Sequence, residues 1–235
     1  MFMKECKTIQ KVIFILAVIC VSITQSWADS WKEIFFADPT IFVENGKYYL
    51  TGTRNREPQG FAILESTDLK HWTVPNGKDL QLILRKGDQA FGEKGFWAPQ
   101  YFKDKRTYYF TYTANEQTVI ASSKSVFGPF RQKEVKPIDA SAKNIDSFLF
   151  KDDDGKYYLY HVRFNKGNYL WVAEFDIKKG SIKPETLKQC MDCTEPWEKT
   201  PNYKSAPVME GPTVMKWDGV YYLFYSANHF MNIDY

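Results

Sequence analysis

Short apolar stretches alternate with polar turns along this chain, and one such pattern occurs four times. Each copy opens with an acidic or small residue, often followed by Pro, and ends in a stretch with two adjacent tyrosines. The pattern predicts a strand, a tight turn and a second strand in each copy. The copies are ADPTIFVENGKYYLTGT from Ala37, WAPQYFKDKRTYYFTYT from Trp97, IDSFLFKDDDGKYYLYHV from Ile145 and EGPTVMKWDGVYYLFYS from Glu210.

A second apolar half follows the first three copies, which gives about four short strands in each repeat unit. No stretch has sustained helical periodicity. The first tyrosines of the pairs are separated by 60, 49 and 64 residues, and this near-constant spacing favours a propeller over the alternative β-sandwich or barrel. We therefore predict an all-β fold, a five-bladed β-propeller of which this chain holds about three and a half blades. The aligned tyrosines are Tyr48, Tyr108, Tyr157 and Tyr221.

The first 28 residues have the features of a secretory signal peptide. Lysines precede an apolar run from Val12 to Ile23, and Ser26 and Ala28 have the spacing of a cleavage site. We expect a signal peptide over residues 1–28, a secreted or periplasmic protein, and no stable membrane insertion after cleavage. A membrane anchor and a lipoprotein modified at Cys20 are the alternatives, although the run is short for a spanning helix.

Residues 29–235 are expected to form one incomplete β-propeller catalytic domain. An open propeller would leave edge strands unpaired, so the sequence predicts truncation at the C-terminal end, with on the order of 90 further residues needed for a five-bladed ring. Cys190 and Cys193 lie close together in this domain. Their spacing fits either a small-loop disulfide or two free thiols.

Charge and composition narrow the class of partner. The formal net charge is +3, from 31 basic and 28 acidic residues that are evenly distributed, so no nucleic-acid surface is predicted. Aromatic residues make up 17% of the chain, which suits both β structure and stacking on sugar rings.

The start of each repeat holds the candidate chemistry. The first strand of a propeller blade starts near the central axis, so side chains at that point converge on one cavity. Asp38, Asp146 and Glu210 stand there in three of the four copies. Such a set of carboxylates suits glycoside hydrolysis, in which one acid protonates the leaving oxygen and one base activates water. The acids at 152–154 lie in a turn and are interpreted as structural.

Four segments of the sequence resemble glycoside hydrolase family 43, a family of five-bladed propellers that includes β-xylosidases, α-L-arabinofuranosidases and endo-arabinanases. The resemblance runs from about Ile34 to Tyr235. The segments that carry it are ADPTIF at Ala37, FWAPQ at Phe96, IDSFLFKDDDGKYYL at Ile145 and VMEGPTVMKWDGVYYLFYSA at Val208.

The resemblance implies a role for each acid. Asp38 would be the general base, Glu210 the general acid, and Asp146 the residue that orients the acid and raises its pKa, in a reaction that inverts configuration. Gln100 departs from the pattern, since relatives often carry Glu there. The resemblance implies no required cofactor, but it allows a structural Ca²⁺ ion in the central channel.

Two aromatic residues begin the second repeat and are candidates for substrate binding. Phe96 and Trp97 are expected near the inner end of the second blade, where a ring can stack on a sugar. The alternative is that they fill the core of the blade.

The predicted function is an inverting exo-acting glycoside hydrolase that removes xylosyl or arabinofuranosyl residues from plant-type polysaccharides or oligosaccharides. An endo-arabinanase is one alternative. A non-catalytic carbohydrate-binding propeller, or an inactive truncated remnant, is a second. A retaining hydrolase of the invertase or sialidase type is less favoured, because the sequence lacks an early Asn-Asp-Pro-Asn pattern and an arginine triad.

Overall fold

A computed structural model of the chain describes residues 34–77, 79–199, 207–233 and Tyr235. Within these ranges the regular structure is β-strand, joined by short turns and three-residue 3₁₀ segments. The predicted signal peptide lies outside them. The strands are β1 (Ala37–Glu44), β2 (Lys47–Thr53), β3 (Gly60–Ala62), β4 (Leu64–Ser66), β5 (Leu82–Arg85), β6 (Trp97–Asp104), β7 (Thr107–Ala114), β8 (Gln117–Ser123), β9 (Asn144–Lys151), β10 (Tyr157–Phe164), β11 (Asn168–Asp176), β12 (Ser181–Ile182), β13 (Lys188–Gln189), β14 (Met209–Trp217) and β15 (Val220–Ala227).

The all-β prediction is confirmed, and the four sequence repeats form the leading hairpins of four antiparallel sheets. The sheets are β1-β2-β4, β6-β7-β8, β9-β10-β11-β12 with β13 also on β11, and β14-β15, while β3 and β5 form a separate pair. No helix in the described ranges is long and apolar enough to cross a membrane. The number of blades in a closed ring stays a prediction.

The expectation of three complete four-stranded blades was wrong for the first two sheets. Only the third sheet has a fourth strand, whereas in the first two the fourth position is a single bridge, Glu65 to Thr73 and Ser122 to Arg131. Pro75 and Pro129 lie two residues from these bridges. A proline cannot donate to a strand ladder, so the pairing does not extend past it.

Neighbouring sheets are joined at the outer end of their first hairpins by an acid, a lysine and a tyrosine. At the first junction Glu44 accepts from the ammonium of Lys103 and, at 2.5 Å, from the hydroxyl of Tyr108. The lysine and the tyrosine belong to the following sheet, so the first tyrosine of each later pair contacts the sheet before it. The equivalent sets are Asp104, Lys151 and Tyr157, and then Asp152, Lys216 and Tyr221.

The core lies between the sheets and is strongly aromatic at the first junction. Phe61, Phe110, Tyr112 and Phe130 are completely buried there, with Phe61 on the short strand β3 inserted against the second sheet. Smaller apolar clusters fill the next two junctions. This packing fixes the relative positions of the inner strand ends, where the candidate acids lie.

The outermost sheet faces carry apolar residues at the junction positions. Val43 stands where the later sheets have the junction lysine, and Trp217 stands where the earlier ones have the junction acid. Val43 is 57% exposed and Trp217 is 68% exposed. Exposed apolar faces of this kind are typical of surfaces that pack against further protein.

The junction hydrogen bond should contribute measurably to stability. Tyr108→Phe removes only the hydroxyl that reaches Glu44, so we expect the free energy of unfolding to fall by about 1 kcal/mol in thermal or denaturant melts. Tyr48→Phe is the matched control, because the hydroxyl of Tyr48 has no partner among the described residues. Equal losses in the two variants would contradict a specific role for the junction.

Candidate active site

Each leading strand is interrupted near its inner end by a β-bulge with a residue in the left-handed region. The φ angles are 47° at Asp38, 42° at Ala98, 52° at Asp146 and 62° at Gly211, and the strand register shifts at each of these points. A bulge bends the strand and redirects side chains, a feature common beside active sites. Aspartate and glycine tolerate this conformation better than most residues.

The bulges correct the expectation that the three acids occupy equivalent positions in their repeats. Asp38 and Asp146 occupy the same bulge position, but Glu210 lies one residue earlier, because Gly211 takes that position in the fourth sheet. Glu210 pairs with Ser226 in the way that Ala37 pairs with Thr53. The sequence carried a signal for this offset, since Asp38 directly precedes a proline whereas Glu210 precedes Gly-Pro.

Two of the three acids nonetheless line one cavity of about 370 Å³. These two are Asp38 and Asp146, whereas Glu210 is 8% exposed, directly precedes the lining residue Gly211, and is close enough to act electrostatically on Asp146. Asp38 is exposed and Asp146 is partly buried, so access to solvent falls from Asp38 to Glu210. The lining also includes residues from all four sheets, among them Pro99, Gln100, Phe148, Pro212 and Ser226.

A second cavity, of about 440 Å³, lies at the outer strands of the second and third sheets. Lysines and Arg131 dominate its walls, and none of the three acids reaches it. The chemistry predicted from the sequence therefore belongs to the smaller cavity.

Hydrogen bonds fix the orientation of Asp38 and Glu210. Asp38 Oδ2 accepts from the Thr53 hydroxyl at 2.5 Å. Glu210 Oε1 accepts from Asn168 Nδ2 at 2.5 Å, and its Oε2 accepts from the Tyr235 hydroxyl at 2.9 Å. Each carboxyl is thus held by at least one neutral donor, which restricts its rotation without adding a charge.

Asp146 is the acid with the most perturbed ionisation. Burial, followed by the nearby charges of Glu210 and Asp38, raises its pKa to about 7, and a hydrogen bond from the Gly211 amide at 3.2 Å acts in the opposite direction. Like charges close together cannot all ionise cheaply, so the group of three acids holds a proton near neutral pH. The resemblance to family 43 implied that Asp146 modifies Glu210, and the raised pKa is found on Asp146 itself.

The two aromatic candidates differ in position. The position of Phe96 fits the alternative that it fills the core of the blade: it is 2% exposed, and its ring stacks on Tyr112 with centroids 5.8 Å apart. Trp97 is partly exposed and its Nε1 donates to Asn55 at 3.2 Å, outside the lining of the cavity with the acids. Alternation along the chain explains the difference, because adjacent residues of a strand point to opposite faces.

The structure explains why Gln100 stands where relatives often carry an acid. Its Oε1 accepts from the Leu149 amide at 2.7 Å and its Nε2 donates to the Leu149 carbonyl at 3.4 Å. A carboxylate accepts but does not donate, so only the amide satisfies both backbone groups of the next sheet.

No three His, Cys, Asp or Glu side chains among the described residues are arranged to hold a metal ion. The sequence left open whether Cys190 and Cys193 form a disulfide, and in the structure both are free thiols.

Sequence reasoning missed three residues that hold the acids: Thr53, Asn168 and Tyr235. Thr53 is three residues after Leu50 in the second strand of the first repeat, and Thr113 has the corresponding place in the second, so a comparison of second strands offered a signal. Asn168 contacts Glu210 from a different sheet, and nothing in the sequence links these two positions.

Carboxylic acids from the first, third and fourth sheets, close together at one cavity with a proton shared near neutral pH, define a site of the kind used by hydrolases that act on sugars. Residues 32–232 match the family described as Glycosyl hydrolases family 43. The chain belongs to this family.

Curated relatives and solved structures support the assignment. The chain is 28% identical over 204 residues to a xylosidase/arabinosidase of Butyrivibrio fibrisolvens, with 82% of this chain and 37% of the relative covered. It is 28% identical over 201 residues to an extracellular endo-α-(1→5)-L-arabinanase of Bacillus subtilis, with 80% and 58% covered. The chain thus spans between about a third and three fifths of these curated relatives.

The similar solved structures are covered more fully. A crystal structure of an endo-1,4-β-xylanase from Bacteroides thetaiotaomicron is 41% identical, with a TM-score of 0.71 and coverage of 84% of this chain and 65% of that one. A thermostable family-43 glycoside hydrolase is 29% identical, with a TM-score of 0.73 and coverage of 85% and 66%.

The raised pKa of Asp146 predicts a stability gain on its replacement. The pKa of Asp146 lies near 3.9 in an unfolded chain and about 7 in the folded one. Below pH 4 the acid is neutral in both states, so its ionisation does not lower the free energy of unfolding. As the pH rises from 4 toward 7, the unfolded chain ionises first and the folded state loses stability. Asp146→Asn should match the wild type at pH 4 and be more stable at pH 8, by about 1–3 kcal/mol after allowance for partial exposure.

Thermal melts across this pH range measure the effect. Asp88→Asn, which removes the same charge from an exposed turn, is the control and should show no such pH dependence. A pH-independent difference for Asp146→Asn would contradict the assigned ionisation.

Proposed function

We propose that this protein is an inverting exo-acting glycoside hydrolase that removes xylosyl or arabinofuranosyl residues from plant-type polysaccharides or oligosaccharides. The observation that carries the proposal is that Asp38 and Asp146 line one cavity and that Asp38 and Glu210 both act electrostatically on Asp146, in a chain of family 43. The names of curated relatives, xylosidase/arabinosidase among them, support the choice of sugars.

The geometry supports a division of labour among the acids. Asp38 is the most exposed of the three and keeps Oδ1 available when Oδ2 is bound by Thr53, so it suits the base that takes a proton from water. Glu210, which is buried close to Asp146, is assigned as the acid that protonates the leaving oxygen. Asp146, with its pKa near neutrality, holds the proton that the pair of acids shares and tunes Glu210.

A second candidate is endo-acting hydrolysis of the same polysaccharides. Two findings favour it: the structure that is 41% identical bears the name endo-1,4-β-xylanase, and one curated relative is an endo-arabinanase. Exo and endo enzymes share the chemistry and differ in how the cavity walls limit the chain of the substrate.

Product analysis separates these candidates. We expect the complete protein to release xylose or arabinose as the first product from nitrophenyl glycosides and from xylo- or arabino-oligosaccharides, measured by chromatography over time. Early release of longer oligosaccharides from xylan or arabinan would favour endo action. Binding without turnover on every substrate would instead favour the carbohydrate-binding alternative.

Removal of either working acid should abolish most turnover. We expect Asp38→Asn and Glu210→Gln each to lower kcat by about 10² to 10⁴-fold, the usual contribution of general acid or base catalysis. Asp146→Asn should lose less with a nitrophenyl leaving group than with a natural linkage, because that leaving group needs little protonation. Proton NMR of the first-formed anomer should show inversion, and a retained anomer would contradict the assignment of Asp38 as base.

A further inference from the structure

The Thr53 hydroxyl joins a catalytic candidate to the neighbouring sheet. Thr53 is 4% exposed. Its Oγ1 accepts from the Ala98 amide at 2.9 Å and donates to Asp38 Oδ2 at 2.5 Å. A backbone amide only donates, so the bond from Ala98 leaves the single hydroxyl hydrogen of Thr53 free to point at Asp38.

At each of the three junctions the backbone amide of the next sheet's bulge residue donates a hydrogen bond to the preceding sheet, and the acceptor is a different residue each time. In the second sheet Thr113, the counterpart of Thr53, accepts from the Asp146 amide at 3.0 Å. In the third sheet the counterpart is Val162, which has no hydroxyl, and the Gly211 amide donates to the Asp146 carboxylate at 3.2 Å. A fixed acceptor for the next bulge is therefore the shared structural requirement.

The contact to a carboxylate is additional to that requirement. The bulge residue beside Thr113 in its own sheet is Ala98, which offers no carboxylate. Only the first sheet combines the junction hydroxyl with an acid at its own bulge, so Thr53 performs one task that Thr113 lacks. The amide of Ala98 sets the direction of the hydroxyl, and the hydroxyl sets the orientation of Asp38.

We propose that Thr53 is a positioning residue for catalysis, which holds Asp38 with Oδ2 bound and Oδ1 directed to the attacking water. This inference rests on the proposed function, in which Asp38 is the base. It predicts that loss of the hydroxyl acts on turnover more than on substrate binding, since a misdirected base affects the transition state and not the bound sugar.

Steady-state kinetics of the complete protein test this role. Thr53→Val, which keeps the shape and removes the hydroxyl, should lower kcat by about 10- to 100-fold with KM changed by less than about threefold. Thr53→Ser, which keeps the hydroxyl, should stay within about threefold of the wild type. The loss should be equal for a nitrophenyl glycoside and a natural linkage, because a base does not act on the leaving group.

Thr113→Val is the matched control for the lost amide acceptor. It should lower the melting temperature about as much as Thr53→Val. The loss of kcat in Thr113→Val should be smaller with the nitrophenyl substrate, because Thr113 contacts Asp146, which acts through the general acid. Equal leaving-group behaviour of the two variants would contradict a specific link from Thr53 to the base.

A double-mutant cycle decides whether Thr53 acts through Asp38. In an Asp38→Ala background, Thr53→Val should change the residual rate by less than about threefold, since residues that act as a unit are not additive. An additive loss, or full kcat in Thr53→Val alone, would overturn the role of Thr53 while leaving an active wild type and the proposed function intact. A wild type inactive on every glycoside would refute the proposed function itself, and this role with it.

Discussion

The hydrogen bond from each bulge amide to the preceding sheet is the constraint on which the site depends. The bulges place a residue in the left-handed region at the inner end of every leading strand, and in the second, third and fourth sheets the amide of that residue finds an acceptor across the junction. Thr53, Thr113 and the Asp146 carboxylate supply it in turn. Because each acceptor lies beside an acid or is one, the bonds that align the sheets also align the site.

The replacement of a hydroxyl by Asp146 at the third junction links stability to chemistry. Val162 leaves the Gly211 amide without the acceptor found at the earlier junctions, and the carboxylate takes its place. Burial of Asp146, followed by the nearby charges of Glu210 and Asp38, raises its pKa to about 7. The folded protein bears an unfavourable charge above that pH, which is a cost often found at functional sites.

The outer ends of the hairpins are governed by different forces from the inner ends. There the acid, lysine and tyrosine of each junction lie near the surface and are partly exposed, and ion pairs near the surface contribute modestly to stability. They do select which sheets are neighbours, since Glu44 finds its lysine and tyrosine only on the following sheet. The tyrosine pairs that reveal the repeat are therefore also the residues that join its units.

The sequence by itself determined the all-β class, the four leading hairpins and the identity of the three acids. Repetition made this possible, because equivalent residues in a repeat adopt equivalent positions. The tertiary structure decided what repetition cannot express: the one-residue offset of Glu210, the burial of Phe96, and the contact of Asn168 with Glu210 from another sheet. These depend on the bulges and on packing between sheets, and such contacts between distant residues leave no local pattern in the chain.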